Sequence, residues 1–206
     1  MGVCTPTAIL KQIESGALAP IYLLLGDDEQ EKVELASEFE RAVDEGIRVF
    51  NVDRFHGSDV SLGTILDASR TLPMMAPKRI VITLRAEGVL QPKRESKATA
   101  RDAEAFMEFV KSPPEHVTLV LVSTELDQRR RLTKRLLAVA TVVRCGQLET
   151  VADAQHLIRS RVKAVDKRIE DRAVRLLGER VGPDSRKLRD ELDRLLLYCS
   201  ETEEIT

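Results

Sequence analysis

Tryptophan is absent from the 206-residue chain, and aromatic residues make up only 3% of it, so the core has to be built from Leu, Val, Ile and Ala. Such a composition suits helices packed on a sheet. The three cysteines, Cys4, Cys145 and Cys199, are odd in number and far apart, which excludes a disulfide framework and a CxxC metal knuckle. His56, His116 and His156 are equally scattered, and both sets read as structural residues rather than a metal or thiol site. No apolar run approaches the ~18 residues of a membrane span, the longest pure ones being about five, as at Ile21–Leu25. The start, MGVCTPTAILKQIESG, has neither a basic n-region nor a continuous apolar h-region, so no signal peptide is read and a cytoplasmic protein without a membrane partner is expected. A strong charge of one sign is also missing, with 32 basic against 34 acidic residues. Residues 1–110 carry a net −5 and residues 111–206 a net +3, too modest a surplus to mark a nucleic-acid binder by itself.

What is present is enough apolar material for a core: 43% hydrophobic residues beside 32% charged ones, which excludes a disordered chain. Thr5-Pro6 and Gly16 bracket a helix over 6–15. Short apolar runs at Ile21–Gly26, Ile47–Phe55, Arg79–Thr83, Thr118–Ser123 and Thr141–Cys145 read as five strands. Helical patterns at Glu29–Val43, Ser61–Arg70, Arg101–Lys111 and Arg129–Ala138 separate them, with a linker-like stretch at Gln91–Thr99. This alternation predicts an α/β fold, a parallel five-stranded sheet with helices on both faces. After Gly146 no strand-like run remains, and Val151–Val165, Asp171–Val181 and Ser185–Ser200 read as three helices, the last two parted at Gly182-Pro183. A domain boundary is therefore expected near Gly146–Thr150.

A strand, loop and helix at Ile21–Val43 is the setting in which nucleotide-binding folds keep a phosphate cradle. The G-x-x-x-x-G-K-[ST] pattern is only half kept: Gly26 and Lys32 stand at their places, but Glu31 replaces the second Gly and Val33 the hydroxyl residue. Asp27, Asp28, Glu29 and Glu31 put four negative charges where a phosphate would sit, so the chain fills its own anion site. The third strand ends Thr83-Leu84-Arg85 where an ATPase would place Asp-Glu. Two readings stay open on the residues: an NTPase architecture without its chemistry, or a parallel-sheet domain that was never a nucleotide fold. No G-x-S-x-G elbow or H-E-x-x-H helix supports hydrolytic chemistry, and no catalytic or metal-ligating residue is assigned.

The segments IYLLLGDDE, FNVDRFHG, TLPMMAPKRIVI, VKSPPEHVTLVLVSTELDQRRRLTKRL, VVRCGQLE and RVGPDSRKLRDELDRLLLY, in this order and spacing, resemble the delta subunit of bacterial DNA polymerase III. That family grips the sliding clamp within the clamp loader. The resemblance implies an AAA+-type α/β domain over residues 1–147 and a small helical lid over 148–206. In the family a helical collar follows, and since the chain stops at Ile205-Thr206, it is expected to lack it. It further implies DNA replication as the process, no ATP hydrolysis and no cofactor. The implied partners are the sliding clamp (beta subunit), the gamma/tau and delta-prime loader subunits, and DNA only indirectly. The Ser-Arg-Cys motif of related loader subunits is missing, since neither Ser69-Arg70, Ser160-Arg161 nor Ser185-Arg186 is followed by Cys.

Two surfaces stand out as candidates. Pro73 and Pro77 frame a stretch between helix and strand that holds the adjacent pair Met74-Met75. Methionine is flexible and polarizable, suited to entering an apolar pocket. The resemblance makes Met74 and Met75 the clamp-binding plug, with Leu72 and Pro73 at its base; the residues alone also allow one or both to pack under the sheet. The basic run Arg129, Arg130, Arg131, Lys134 and Arg135 could face DNA phosphates or an acidic neighbouring subunit. It lacks interleaved aromatics for base stacking, and a solvated helix face explains it as well. The expected function is a clamp-loader subunit that opens the clamp without catalysis; the alternative is a P-loop NTPase or phosphotransferase using Gly26 and Lys32.

Overall fold

The computed structural model describes residues 3–92, 96–146, 148, 150–182 and 184–206. The chain divides into two compact units, Met1–Cys145 and Gly146–Thr206. In the first, β1 (Val3–Cys4), α1 (Pro6–Ser15), β2 (Ile21–Gly26), α2 (Glu29–Arg41), α3 (Glu45–Asn51) and β3 (Val52–His56) come in succession. They are followed by α4 (Leu62–Arg70), β4 (Arg79–Leu84), α5 (Glu87–Leu90), α6 (Lys97–Lys111), β5 (Val117–Val122), α7 (Arg131–Val139) and β6 (Thr141–Cys145).

The strands form one parallel sheet in the order β1-β6-β2-β5-β4-β3. The expected five are all there, and the two-residue β1 extends the edge beside β6. Both faces are covered, which is why the strands read as unbroken apolar runs. Leu23, Leu25, Leu119 and Leu121 point to the side packed by α4, α6 and α7. Tyr22, Leu24, Val120 and Val122 point to the side packed by α1 and α2. Tyr22 is fully buried yet satisfied: its hydroxyl accepts from the Ala19 amide at 2.8 Å and donates to Gln12 Oε1 at 2.9 Å. Burial outweighs the Ala19 bond and pushes its phenol pKa up.

The second unit comprises α8 (Val151–Lys163), β7 (Arg168–Ile169), α9 (Asp171–Val181), α10 (Ser185–Tyr198) and β8 (Glu204–Ile205). Ile158, Val162, Val174, Leu188, Leu192 and Ile205 form its core. The expectation of no strand after Gly146 is corrected by the parallel pair β7–β8. Both strands are two residues long, too short to carry an alternating pattern, and Ile205 is held by its burial in the helical core. Lys167 Nζ fixes the turn after α10 by donating to the carbonyls of Cys199, Ser200 and Thr202 at 3.0, 2.9 and 2.5 Å.

Other boundaries also move. The run Ile47–Phe55 is not one strand: Asp44 accepts from the Gly46 amide, caps α3, and keeps the chain helical to Asn51. Helix α6 starts at Lys97, because Ser96 and Thr99 make a capping box inside the stretch read as linker. Helix α7 starts at Arg131, because Asp127 holds Arg129 in the preceding turn. Lys93, Arg94, Glu95, Gln147, Glu149 and Pro183, on which parts of the sequence reading fell, lie outside the described residues.

Gly26 pairs with Cys145 at the carboxyl ends of β2 and β6. It has φ +130°, and a Cβ built there would stand 1.8 Å from the Cys145 carbonyl oxygen. Gly26→Ala is expected to destabilise the first unit by about 3 kcal/mol or more, through backbone strain and displacement of β6, read from urea unfolding.

Candidate functional site

The loop from Gly26 to α2 lies at the carboxyl end of β2, which pairs with both β5 and β6. Ligands of open α/β sheets bind in the crevice outside such strand ends. Here the crevice is occupied by the chain itself. Asp28, almost wholly buried, caps α2 by accepting from the Glu31 amide at 2.9 Å. That bond uses a helix N-terminal donor that a phosphate would need. Lys32 is fully buried, and its Nζ is bound to Glu29 Oε1 at 2.8 Å and to the Ser123 carbonyl, just beyond β5, at 3.1 Å. Glu31 is half-buried in the place of the second glycine, and Val33 is exposed in the place of the hydroxyl residue. Gly26 serves the β2–β6 approach described above.

The end of β4 is equally unlike a metal-holding strand. Thr83 Oγ1 is buried without a hydrogen-bond partner, and Arg85 takes φ +49°. The acidic residue nearest in sequence is Glu87 in α5, whose carboxylate accepts from Ser123 Oγ at 2.9 Å and the Thr124 amide at 3.4 Å. It ties α5 to the end of β5.

The turn between α4 and β4 has the opposite character. Leu72, Met74 and Met75 are 71%, 53% and 87% exposed, and Pro73 is half-buried beneath them. The sequence alternative that one or both methionines pack under the sheet is thereby excluded. Met75 has φ +57°, a left-handed conformation uncommon for a residue with a side chain. Lys78 Nζ donates to the Leu18 carbonyl at 2.7 Å, and Arg79 reaches Asp53 at 2.7 Å and the Phe50 carbonyl at 2.7 Å, so the turn's return into β4 is fastened.

Asn51 fastens the other side. Its fully buried carboxamide accepts from the Met74 amide at 2.6 Å and donates to the Met74 carbonyl at 2.8 Å. The same short helix exposes Val49 and Phe50, at 78% and 52%. Sequence reading missed these three residues because it assigned them to a strand. Asp44 with Gly46 two residues on was the signal available: an Asp followed by a short charged-apolar mix reads equally as a capped helical turn.

The basic run stays in contact with water. Arg129, Arg130, Arg131, Lys134 and Arg135 are all exposed at the start and along α7. Arg129 is committed to Asp127, with bonds of 3.0 and 3.2 Å that hold the Asp127 carboxyl below the usual carboxylate range. Arg131, Lys134 and Arg135 line a cleft of about 340 Å³ with Lys111 and Glu108 of α6. The Glu108 carboxyl is held low, first by its ion pair with Lys111, then by Arg135 and Arg131, so it stays charged and leaves the cleft net positive. A more apolar cleft of about 400 Å³ lies by Leu62, Leu90, Met107 and Leu132, at the other end of α4 from the methionines.

Lys32 is thus a structural residue of the crevice. Lys32→Ala is expected to lower stability by about 2 kcal/mol, since it removes both bonds and leaves the Ser123 carbonyl without this donor. A lysine kept only for nucleotide would leave the melting curve unchanged.

The family described as DNA polymerase III, delta subunit, matches residues 22–146. No curated protein matches the chain. The solved structure of the Bacillus subtilis DNA clamp loader delta protein (YqeN) is similar at TM-score 0.68 and 23% identity, over 98% of this chain and 60% of that one. The Thermotoga maritima RuvB Holliday junction branch migration motor is similar at TM-score 0.55 and 16% identity, over 98% and 64% of the two chains. A DNA polymerase III gamma subunit-related protein of Thermotoga maritima gives 0.51 and 18%, over 91% and 57%. The chain therefore spans 57–64% of the length of these proteins, and at such identities their likeness speaks for the AAA+-type fold. Because the family match runs from β2 through the self-filled loop and the methionine turn to the residue after β6, this chain belongs to the DNA polymerase III delta-subunit family of clamp-loader components.

Proposed function

We propose that this chain binds the sliding clamp through Met74 and Met75, seated on Leu72 and Pro73, and helps to open the clamp ring without hydrolysing ATP. The observation that carries this reading is an adjacent pair of large apolar side chains held out in water by a fastened turn, in a chain of this family. Large exposed apolar groups that the fold holds out mark a partner surface. Two flexible thioether side chains suit an apolar pocket on one clamp protomer.

Opening requires more than binding. If the pair fits a protomer shape incompatible with the closed ring better than the closed shape, binding shifts the ring toward the open state by that difference in affinity; equal affinity for both shifts nothing. The α/β domain over residues 1–147 acts as the grip, and residues 148–206 as the lid. Sister subunits of the loader supply ATP hydrolysis, gamma/tau and delta-prime are partners of the full-length protein, and the exposed basic run before and along α7 serves as a contact to an acidic neighbouring subunit or to DNA phosphates. The occupied crevice supports the silence toward nucleotide: Lys32 already has two partners, and Asp28 already caps α2.

The test is binding of the purified chain to the sliding clamp of the same organism by calorimetry. Met74→Ala or Met75→Ala is expected to weaken it by about 2 kcal/mol, the scale of an interface hot spot; binding that survives both changes would place the grip elsewhere. Saturating Mg-ATP is expected to leave the melting temperature unchanged. A ligand at 100 times its dissociation constant would add about 2.7 kcal/mol, so a clear upward shift would return the NTPase reading.

A further inference from the structure

We propose that Asn51 is a positioning residue for clamp binding, one that orders the Met74–Met75 turn before the partner arrives; the inference rests on the clamp-binding reading above. A neutral carboxamide offers one oxygen acceptor and two N–H donors. All are used here: Oδ1 accepts from the Met74 amide at 2.6 Å, while Nδ2 donates to the Met74 carbonyl at 2.8 Å and to the Ile47 carbonyl at 2.9 Å. One buried side chain therefore satisfies both backbone polar groups of Met74, as a neighbouring strand would, and ties them to α3. The Met74 side chain is left as the part of that residue that meets water.

Met75 follows in a left-handed conformation, which a side-chain-bearing residue adopts only when its surroundings impose it. The clamp on Met74 N and O is the restraint immediately before it. Without it, the bonds left to the turn among the described residues lie at its two ends, from Thr71 to the Asp67 and Ala68 carbonyls and from Lys78 and Arg79 at its return. Fixing one residue's backbone at the moment of binding weakens affinity by roughly tenfold or more, and a turn already ordered avoids that loss. No other residue type reproduces the set: Asp presents acceptors to two carbonyls, Ala removes all three bonds, and Gln carries the amide one methylene too far.

A double-mutant cycle on the 206-residue chain tests the proposal, with binding to the sliding clamp as the readout. Asn51→Ala is expected to weaken binding about tenfold in the wild-type background and less than twofold in a Met75→Ala background, because it acts through the turn. Equal losses in both backgrounds, or no loss, would overturn it. Carbon-13 methyl labelling of methionine supplies a readout in the free protein, where Met107 in α6 is an internal control. In Asn51→Ala and Asn51→Asp the Met74 and Met75 methyl signals should move toward free-methionine positions while Met107 keeps its shift. Unmoved Met74 and Met75 signals in a chain that binds the clamp would sink the positioning role alone. A shift of Met107 as well would make Asn51 a residue of general folding and overturn the proposal. Failure of the wild-type chain to bind would remove the clamp reading and this role with it, an outcome separable from the others by the wild-type titration.

Discussion

A parallel sheet cannot be closed by hairpins, and each strand must be followed by a crossover that covers one of its faces. That constraint organises the first unit. Leu, Val and Ile in β2, β4, β5 and β6 are buried on both sides, and α1 and α2 on one face and α4, α6 and α7 on the other exist as the layers that keep them dry. The crossovers also gather the loops after β2, β4, β5 and β6 at the carboxyl ends of the strands, where a phosphate crevice arises in folds of this kind. This chain inherits the crevice from its topology and fills it with Lys32, Asp28 and Glu29. The bond from Lys32 Nζ in α2 to the Ser123 carbonyl just beyond β5 joins groups 91 residues apart in sequence.

The methionine turn lies at the opposite pole of the same logic, between the end of α4 and the start of β4. In the crevice, charged groups are turned inward and consumed; in the turn, apolar groups are turned outward and fastened by their backbone. Both arrangements run against the ordinary preference of the residue types involved. A fully buried lysine requires partners, and it has a carboxylate and a carbonyl. An 87% exposed methionine requires a backbone that keeps it from collapsing onto the core, and Asn51 with Pro73 and Pro77 supplies one.

Most of the first unit was legible in the chain because burial on both faces writes an unmistakable code: unbroken apolar runs that alternate with amphipathic helices. The ends of elements were less so. The five residues Ile47–Asn51 contain Val, Ile and Phe, which favour a strand by type, yet a single Asp–amide bond at Asp44 carries them into a helix. The pair β7–β8 was hidden because two-residue strands have no period to read. The half-kept Gly26…Lys32 pattern was readable as a departure from a phosphate loop, but the partners that occupy Lys32 were not, since Ser123 is remote in sequence.

By itself the sequence determined the layer order, the loss of two of the four phosphate-loop positions, and the placing of two methionines between prolines. Local chemistry sets all three: periodicity, the need of glycine and lysine for phosphate, and proline's fixed torsion. Tertiary structure alone decided which way those methionines point and what holds them. Asn51 and Met74 are 23 residues apart, and nothing in either neighbourhood announces the bond between them. It exists because β3 pairs with β4, which brings the end of α3 beside the turn that leads into β4, and a buried carboxamide there must find partners.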